Sequence, residues 1–198
     1  MNKKVIVALI GASGSGKTTI ERILEKQFKF HRIISHTTRE RRMFETHGKD
    51  YYYIDKSSFE KKLNEGDFLE HANFNGNYYG ASFSEFKEGL NVIVVEPHGL
   101  YSLLDYSREN KDFMVIPTPI QIDPKLAAQR MEDRGDGYIK VVERLLNDEE
   151  TFLRIQTYKE DDTYAFNHVF TDKEIVLNGA DPISYSISKI IEKVREGD

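Results

Sequence analysis

The run Gly11-Ala12-Ser13-Gly14-Ser15-Gly16-Lys17-Thr18, continued by Thr19, contains the residue types that hold a chain of phosphates. Gly11, Gly14 and Gly16 let the backbone curl until successive N–H groups face one anion, and a helix starting near the lysine adds the positive end of its dipole. The run satisfies G-x-x-x-x-G-K-[ST] at every fixed position. Its context matters as much as its letters. The apolar stretch Val5–Ile10 precedes it, and Thr19–Lys26 can continue as a helix. The competing reading is a glycine-rich strand-to-helix turn without a ligand, but strand, loop, Lys-Thr and helix in that order point to a bound nucleoside triphosphate. Lys17 would then reach the β- and γ-phosphates, and the Thr18 hydroxyl would ligate Mg²⁺.

A second stretch, Ser35–Ile54, combines Arg39, Arg41 and Arg42 with three consecutive tyrosines, Tyr51 to Tyr53. A phosphate dianion asks for charge-assisted, preferably forked donors, which arginine supplies better than lysine. Arg39 and Arg42 are three apart, and the hydroxyls of Tyr51 and Tyr79 can complete a clamp without adding charge. By charge alone, a solvated basic loop with a few packed aromatics explains the stretch equally well.

These residues need a scaffold, and the rest of the chain indicates which. The 198 residues suit a single domain with a substantial core, and the composition (39% hydrophobic, 31% charged) is that of a well-solvated globular protein. No apolar run reaches the roughly 18 residues of a membrane span. The lysines before Val5–Ile10 resemble the start of a signal peptide, yet the apolar part runs straight into the glycine loop and reads as a buried strand. The absence of cysteine excludes disulfides and thiolate metal sites and accords with a cytoplasmic address. A net charge of −5 argues against an extended nucleic-acid footprint. Strand-like runs recur at Val5–Ile10, Val92–Glu96 and Phe113–Pro117, with weaker ones near Val169 and Ile175. Helices are expected after Asp123-Pro124 and Asp181-Pro182, as an N-cap followed by proline, and after capping boxes at Ser57/Glu60 and Ser82/Glu85. Lys140–Phe152 places Val141, Val142, Leu145, Leu146 and Phe152 near one helical face. Strands alternating with helices predict an α/β fold with a parallel sheet flanked by helices. The tract from Arg39 to Tyr79, short, aromatic and glycine-punctuated, reads as a small antiparallel insertion in which Phe59, Leu63 and Phe68 form core.

Taken together, GASGSGKTT, SHTTRERR, GKDYYYI, EGDFLEHANFNGNYYGAS and RMEDRG resemble the guanylate kinase family. The similarity is dense from residue 4 to about 99 and sparser, but in order, to about 145. The resemblance implies a P-loop NTPase fold as a single domain, with a monophosphate-binding insertion at about 35–88 and a helical lid at about 130–150. It implies ATP-dependent phosphoryl transfer to GMP or dGMP with Mg²⁺, by a monomer or homodimer whose partners are nucleotides. Carried over by position, Arg39, Arg42, Tyr51 and Tyr79 hold the acceptor phosphate, while Ser35 and Glu70 meet the guanine. Arg130, Arg134 and Arg144 grip the transferring phosphates when the lid closes.

The sequence departs from the family pattern at several places. Ala81 stands where a guanine-reading Ser or Thr is usual, Val94 where an aspartate associated with the metal is usual, and Glu96 where a guanine-contacting aspartate is usual. Thr171-Asp172 replaces an asparagine-aspartate beside the adenine, and the lid is one residue shorter between Arg134 and Arg144. Two alternatives therefore stand beside a guanylate kinase: a monophosphate kinase of relaxed or altered base choice, and a guanylate-kinase-like interaction module without catalysis. The module reading sits poorly with Lys17, Thr18 and the lid arginines. The six histidines (His31, His36, His47, His71, His98, His168) show no metal-ligand spacing and read as packing or polar residues.

Overall fold

The computed structural model describes residues 3–74, 76–157 and 175–196. Strand β1 (Lys4–Gly11) is apolar on both faces, as a central parallel strand must be. It lies in a five-stranded sheet of order β2-β7-β1-β8-β9, formed with β2 (His31–Arg32), β7 (Gly89–Val94), β8 (Phe113–Gln121) and β9 (Leu177–Asn178). Every pairing in it is parallel. Val5, Val7 and Leu9 pack with Ile20 and Leu24 of α1 (Lys17–Phe28) and Ile187, Ile190 and Val194 of α6 (Ile183–Glu196). Ile6, Ala8 and Ile10 face the other way, toward Leu100, Leu103 and Leu104 of α3 (Pro97–Glu109).

A second, four-stranded sheet of order β4-β3-β6-β5 is built from β3 (His36–Thr37), β4 (Tyr52–Tyr53), β5 (Phe68–Phe74) and β6 (Asn77–Ser82). The expected insertion is there, but it is mixed rather than antiparallel, because β3 and β4 run parallel. Phe59 of α2 (Lys56–Asn64) stacks on Phe68 and Tyr78 and forms the core of this sheet. Leu69 and Ala81 pack into the same apolar cluster as α3, so the insertion is anchored to the main sheet. Helices α4 (Pro124–Asp133) and α5 (Tyr138–Thr157) follow β8.

Several local expectations change in the structure. Helix α2 is capped by Asp55, whose carboxylate accepts from the Ser58 N–H at 2.7 Å and from the Ser57 hydroxyl at 2.6 Å. A carboxylate two residues earlier outcompetes the hydroxyl, so no Ser57/Glu60 box forms. Ser82 does precede a single 3₁₀ turn (Phe83–Glu85), but its hydroxyl reaches Asp67 at 3.3 Å instead of capping. Asp123 caps α4 as expected, whereas α6 begins one residue late, with the Pro182 carbonyl taking the first helical bonds. The β7 strand stops at Val94 rather than Glu96, because Pro97 starts α3 and makes Glu96 its N-cap.

Strand β8 runs past Pro117 and Pro119. The Pro117 carbonyl accepts from Ile175. A residue's N–H and C=O point to the same side of a strand, so the missing N–H groups face short β9 and cost β1 nothing. On α5, Val141 is buried but Leu146 is exposed, so the inward stripe continues through Asp148. The side chain of Phe152, and His168, Val169 and Thr171-Asp172, lie outside the described residues.

Candidate active site

The phosphate loop leaves β1 at Gly11 and closes on α1 with Gly16 as N-cap. Gly14 and Gly16 adopt φ of 76° and 101°, where glycine is favoured. A Cβ at Gly14 would come within 2.8 Å of the Ala127 carbonyl, so α4 packs directly on the loop. Lys17 Nζ donates to the carbonyls of Gly11 and Ala12, at 2.5 and 2.9 Å. Burial lowers the Lys17 pKa, opposed by the fields of Glu96 and then Asp148. Thr18 and Thr19 lie exposed in the first turn of α1, while the Ser15 hydroxyl is buried without a partner.

The arginine-tyrosine segment assembles around one guanidinium. Arg39 lies over the rings of Tyr51 and Tyr53, 5.5 and 5.9 Å from their centroids, and the Tyr51 and Tyr79 rings meet edge-on at 5.9 Å. Tyr79 also hydrogen-bonds Arg39, and burial pushes the Tyr51 phenol up, keeping it a neutral donor. Arg39 is already paired. Its Nη2 donates to both oxygens of Glu45 at 2.8 and 3.0 Å, and Tyr53 and the Arg42 N–H add bonds to the same carboxylate. Burial works against the Arg39 charge, but the Glu45 bonds outweigh it and hold its pKa above the ordinary value. The Arg42 side chain is half exposed, with Nη1 3.7 Å from Glu45 Oε1, and its charge acts on Asp136 and on Arg144 of α5.

Two carboxylates stand near the insertion's inner end. Glu70 of β5 is buried and accepts the N–H of Ala81, the residue opposite it on β6. Burial raises its pKa to about 7, and Glu96 adds to the rise. Glu96 is itself raised to about 7 by burial, with Lys17 opposing. A Cβ on Gly99 would meet Glu70 Oε2 at 2.2 Å, so glycine in the first turn of α3 is what lets the carboxylate sit there. Ser35 is buried just before β3, with its carbonyl accepting the Tyr52 N–H.

The three lid arginines part company. Arg134 and Arg144 converge on Asp136: Arg134 Nε at 3.0 Å, Arg144 Nη1 at 2.7 Å. Burial, then crowding by Arg42, depresses the Arg144 pKa. Arg130 instead donates to the carbonyls of Gly14 and Gly179, at 3.1 and 2.8 Å, tying α4 to the loop and to the turn after β9. Sequence reasoning missed Glu45, Tyr53, Asp136 and Asp148. Asp148 had one available signal, its place four residues after Arg144 on the same helical face. His36 and His47 pack against tyrosines, with ring centroids 4.8 Å (His36–Tyr52) and 5.9 Å (His47–Tyr52) apart.

Among the described residues no three His, Cys, Asp or Glu side chains group so as to hold a metal ion. The oxygen donors beside the loop (Thr18, Glu96, Asp148) suit a hard cation that keeps most of its waters and takes its other ligands from phosphate.

Comparison with known proteins agrees with this geometry. The guanylate kinase family model matches residues 2–107, which carry the phosphate loop and the whole insertion. A guanylate kinase of Hahella chejuensis is 36% identical over 166 residues, covering 80% of this chain and 76% of the relative. One from Mycoplasmopsis pulmonis is 38% identical over 141 residues, covering 68% of this chain and 70% of the relative. The crystal structure of guanylate kinase from Anaplasma phagocytophilum superposes with a TM-score of 0.65 at 22% identity, spanning 100% of this chain and 87% of the other, and shows a shared fold. With a P-loop NTPase sheet, a phosphate loop at its centre and an arginine-tyrosine insertion beside it, this chain belongs to the guanylate kinase family.

Proposed function

We propose that the chain transfers a phosphoryl group from ATP to GMP or dGMP, giving GDP or dGDP. One observation carries the reading: α5, the helix of Arg144, docks on the phosphate loop of Lys17 through the Ser13 N–H to Asp148 bond at 2.8 Å, and Arg134 and Arg144 meet on Asp136 at the start of that helix. The donor binds on residues 11–18, with Gly11, Ser13, Gly14, Ser15 and Gly16 offering backbone donors, Lys17 the cation, and Thr18 and Thr19 hydroxyls. The acceptor lies along 35–81. Its phosphate takes Arg39 from Glu45 and meets Arg42, Tyr51 and Tyr79, while Glu70, Glu96, Ser35 and Ala81 surround the base. Arg134 and Arg144 leave Asp136 to hold the phosphoryl group in flight, with Arg130 fixing α4 to the loop.

The Thr18 hydroxyl would hold a divalent cation such as Mg²⁺, which would supply charge neutralisation to the donor phosphates; the Val94 side chain offers no oxygen. Phosphoryl transfer requires mainly positioning and electrostatic stabilisation, so no separate base is assigned. Closure of the insertion (about 35–88) and lid (about 130–150) excludes water and protects ATP from hydrolysis. We take the chain as one domain, a cytoplasmic monomer or homodimer without nucleic-acid or membrane partners; no helix among the described residues is long and apolar enough to cross a membrane. ADP release that needs both ATP and GMP is the expected result, and ADP release indifferent to acceptor would count against it. A kinase of relaxed base choice is favoured by one feature, the missing hydroxyl at Ala81.

The clamp gives a further expectation. Arg42→Ala removes a forked partner for the acceptor phosphate, so KM for GMP should rise by roughly tenfold or more, the scale of one charge-assisted hydrogen bond. ATP affinity without acceptor should barely change. Lost ATP binding with normal GMP affinity would reverse the two phosphate sites.

The raised carboxylate pKa values predict a pH dependence. Glu70 and Glu96 sit near 7, so each is substantially protonated at pH 6 and largely ionised at pH 8. Guanine donors need the ionised form, so affinity should rise as pH rises through 7, by roughly fivefold from pH 6 to pH 7 if one carboxylate governs. Guanosine is the right probe, because a monophosphate has its own second ionisation near pH 6. Guanosine binding flat from pH 6 to 8 would disconnect these carboxylates from the base.

A further inference from the structure

One buried carboxylate has no part in the mechanism above. Asp148 lies on α5, one turn beyond Arg144, and is only 7% exposed. Its Oδ2 accepts the backbone N–H of Ser13 at 2.8 Å, and the Ser13 hydroxyl bonds it as well. Lys17 and Arg144 act on it favourably, while Asp148 in turn acts on Glu96 with the same sign of charge. The N–H groups of such a loop are the donors that receive phosphate oxygens. A carboxylate on one of them satisfies the donor and places a negative charge where a triphosphate must come. Two anions cannot share that N–H, and their repulsion at contact range, in a partly buried cleft, is far from negligible.

The same substitution of carboxylate for phosphate recurs at both other cationic groups of the cleft. Glu45 occupies Arg39, and Asp136 occupies Arg134 and Arg144. Those carboxylates sit close in sequence to the arginines they hold. Asp148 comes from a different element, 135 residues away, and thereby fastens α5 to the loop.

We propose that Asp148 is an internal competitor of the donor phosphates: it docks α5 on the phosphate loop, and a nucleoside triphosphate binds by displacing it, which couples donor binding to movement of the helix that carries Arg144. This rests on the loop being the donor site. Displacement also moves Arg144, which sits one turn from Asp148 on the same helix and is itself bonded to Asp136. The reading competes with one in which Asp148 serves the metal's waters in place of the acid missing at Val94; the two predict opposite effects of removing the charge.

The test is calorimetric binding of ATP with Mg²⁺, without acceptor, to the full chain and to Asp148→Asn and Asp148→Ala. Asparagine keeps the shape and an oxygen for the Ser13 N–H, so it removes charge with little risk to folding. Both variants should bind ATP at least about tenfold more tightly than the wild type, the scale expected for removing one like charge near contact. The chain has no cysteine, so spin labels on Leu146→Cys and Glu109→Cys report the position of α5 directly. ATP should lengthen that distance in the otherwise wild-type chain, and Asp148→Ala should show the longer distance before ATP is added. Equal or weaker ATP binding by Asp148→Asn overturns the proposal, weaker binding being what a metal-water role predicts. A wild-type chain that binds no ATP would instead overturn the donor-site reading, and this inference with it.

Discussion

Replacing Lys17 by alanine is expected to lower kcat by roughly a hundredfold or more, with the fold intact. The magnitude is that of losing one preorganised electrostatic contact to a transferring group. The structure explains why the fold should survive. Among the described residues Lys17 Nζ bonds to the carbonyls of Gly11 and Ala12, whereas the loop's shape rests on the backbone bonds Ser15 N–H to Ala12 and Thr19 and Ile20 N–H to Gly16. The Lys17 charge also favours the ionised forms of Glu96 and Asp148, and its loss leaves both carboxylates with less to oppose the burial that disfavours their charge. ATP affinity should fall along with kcat, because the donor phosphates lose the cation that faces them. The variant is to be compared with wild type in steady-state ADP release at saturating GMP, with its melting temperature as a control. A folded Lys17→Ala protein turning over near the wild-type rate would remove the loop from the mechanism.

How much of this was legible in sequence depended on how local each constraint is. The phosphate loop was readable in full, because its glycines, lysine and flanking strand and helix lie within one short stretch. The arginine-tyrosine segment stood out by residue type, although by charge alone a solvated basic loop explained it equally well; the structure gathers Arg39, Tyr51, Tyr53 and Tyr79 in one cluster. The main sheet followed from apolar runs, and its β8 was underestimated because Pro117 and Pro119 look like strand breakers until the neighbour on their N–H side is known. Helix α3 went unnoticed although Glu96-Pro97 has the same acid-proline form as Asp123-Pro124; the strand before it drew the boundary two residues too far. The carboxylates Glu45 and Asp136 were not legible, and Asp148 only by its place four residues after Arg144. An acid in a charged stretch reads as a solvated surface residue, and only tertiary placement shows it resting on an arginine or a loop N–H. For the same reason Arg130, grouped by motif with Arg134, turned out to serve the loop's carbonyls.

Base choice is where sequence and structure meet most directly, and GMP and dGMP are expected to exceed AMP and the pyrimidine monophosphates by several orders of magnitude in kcat/KM. Guanine presents two adjacent donors, N1–H and the exocyclic amine, which suit ionised carboxylates. Adenine presents a lone pair at N1 and cytosine one at N3, leaving a buried carboxylate facing an acceptor. Groups left unpaired in this way give the strong form of rejection. Glu70 is well placed to enforce it: it is buried, held by the Ala81 N–H, and seated against Gly99 with no room to swing toward α3. Ala81 pulls the other way, since a lost hydroxyl forfeits about 0.5–1.5 kcal/mol, up to roughly tenfold in selectivity. That relaxes the preference without reversing it. The protonation of Glu70 near pH 7 adds a condition: a neutral carboxyl can donate to adenine N1, so discrimination against AMP should weaken below pH 7 and sharpen above it. Glu70→Gln should fix a neutral, donating form, cutting kcat/KM for GMP by roughly a hundredfold and raising that for AMP at pH 8, on the scale of a hydrogen bond to a charged group lost and a neutral one gained. Coupled assays at subsaturating acceptor, run at pH 6 and pH 8, compare these values directly. Equal kcat/KM for dGMP and any non-guanine monophosphate at pH 8 would replace the guanine-specific enzyme with one of relaxed base choice.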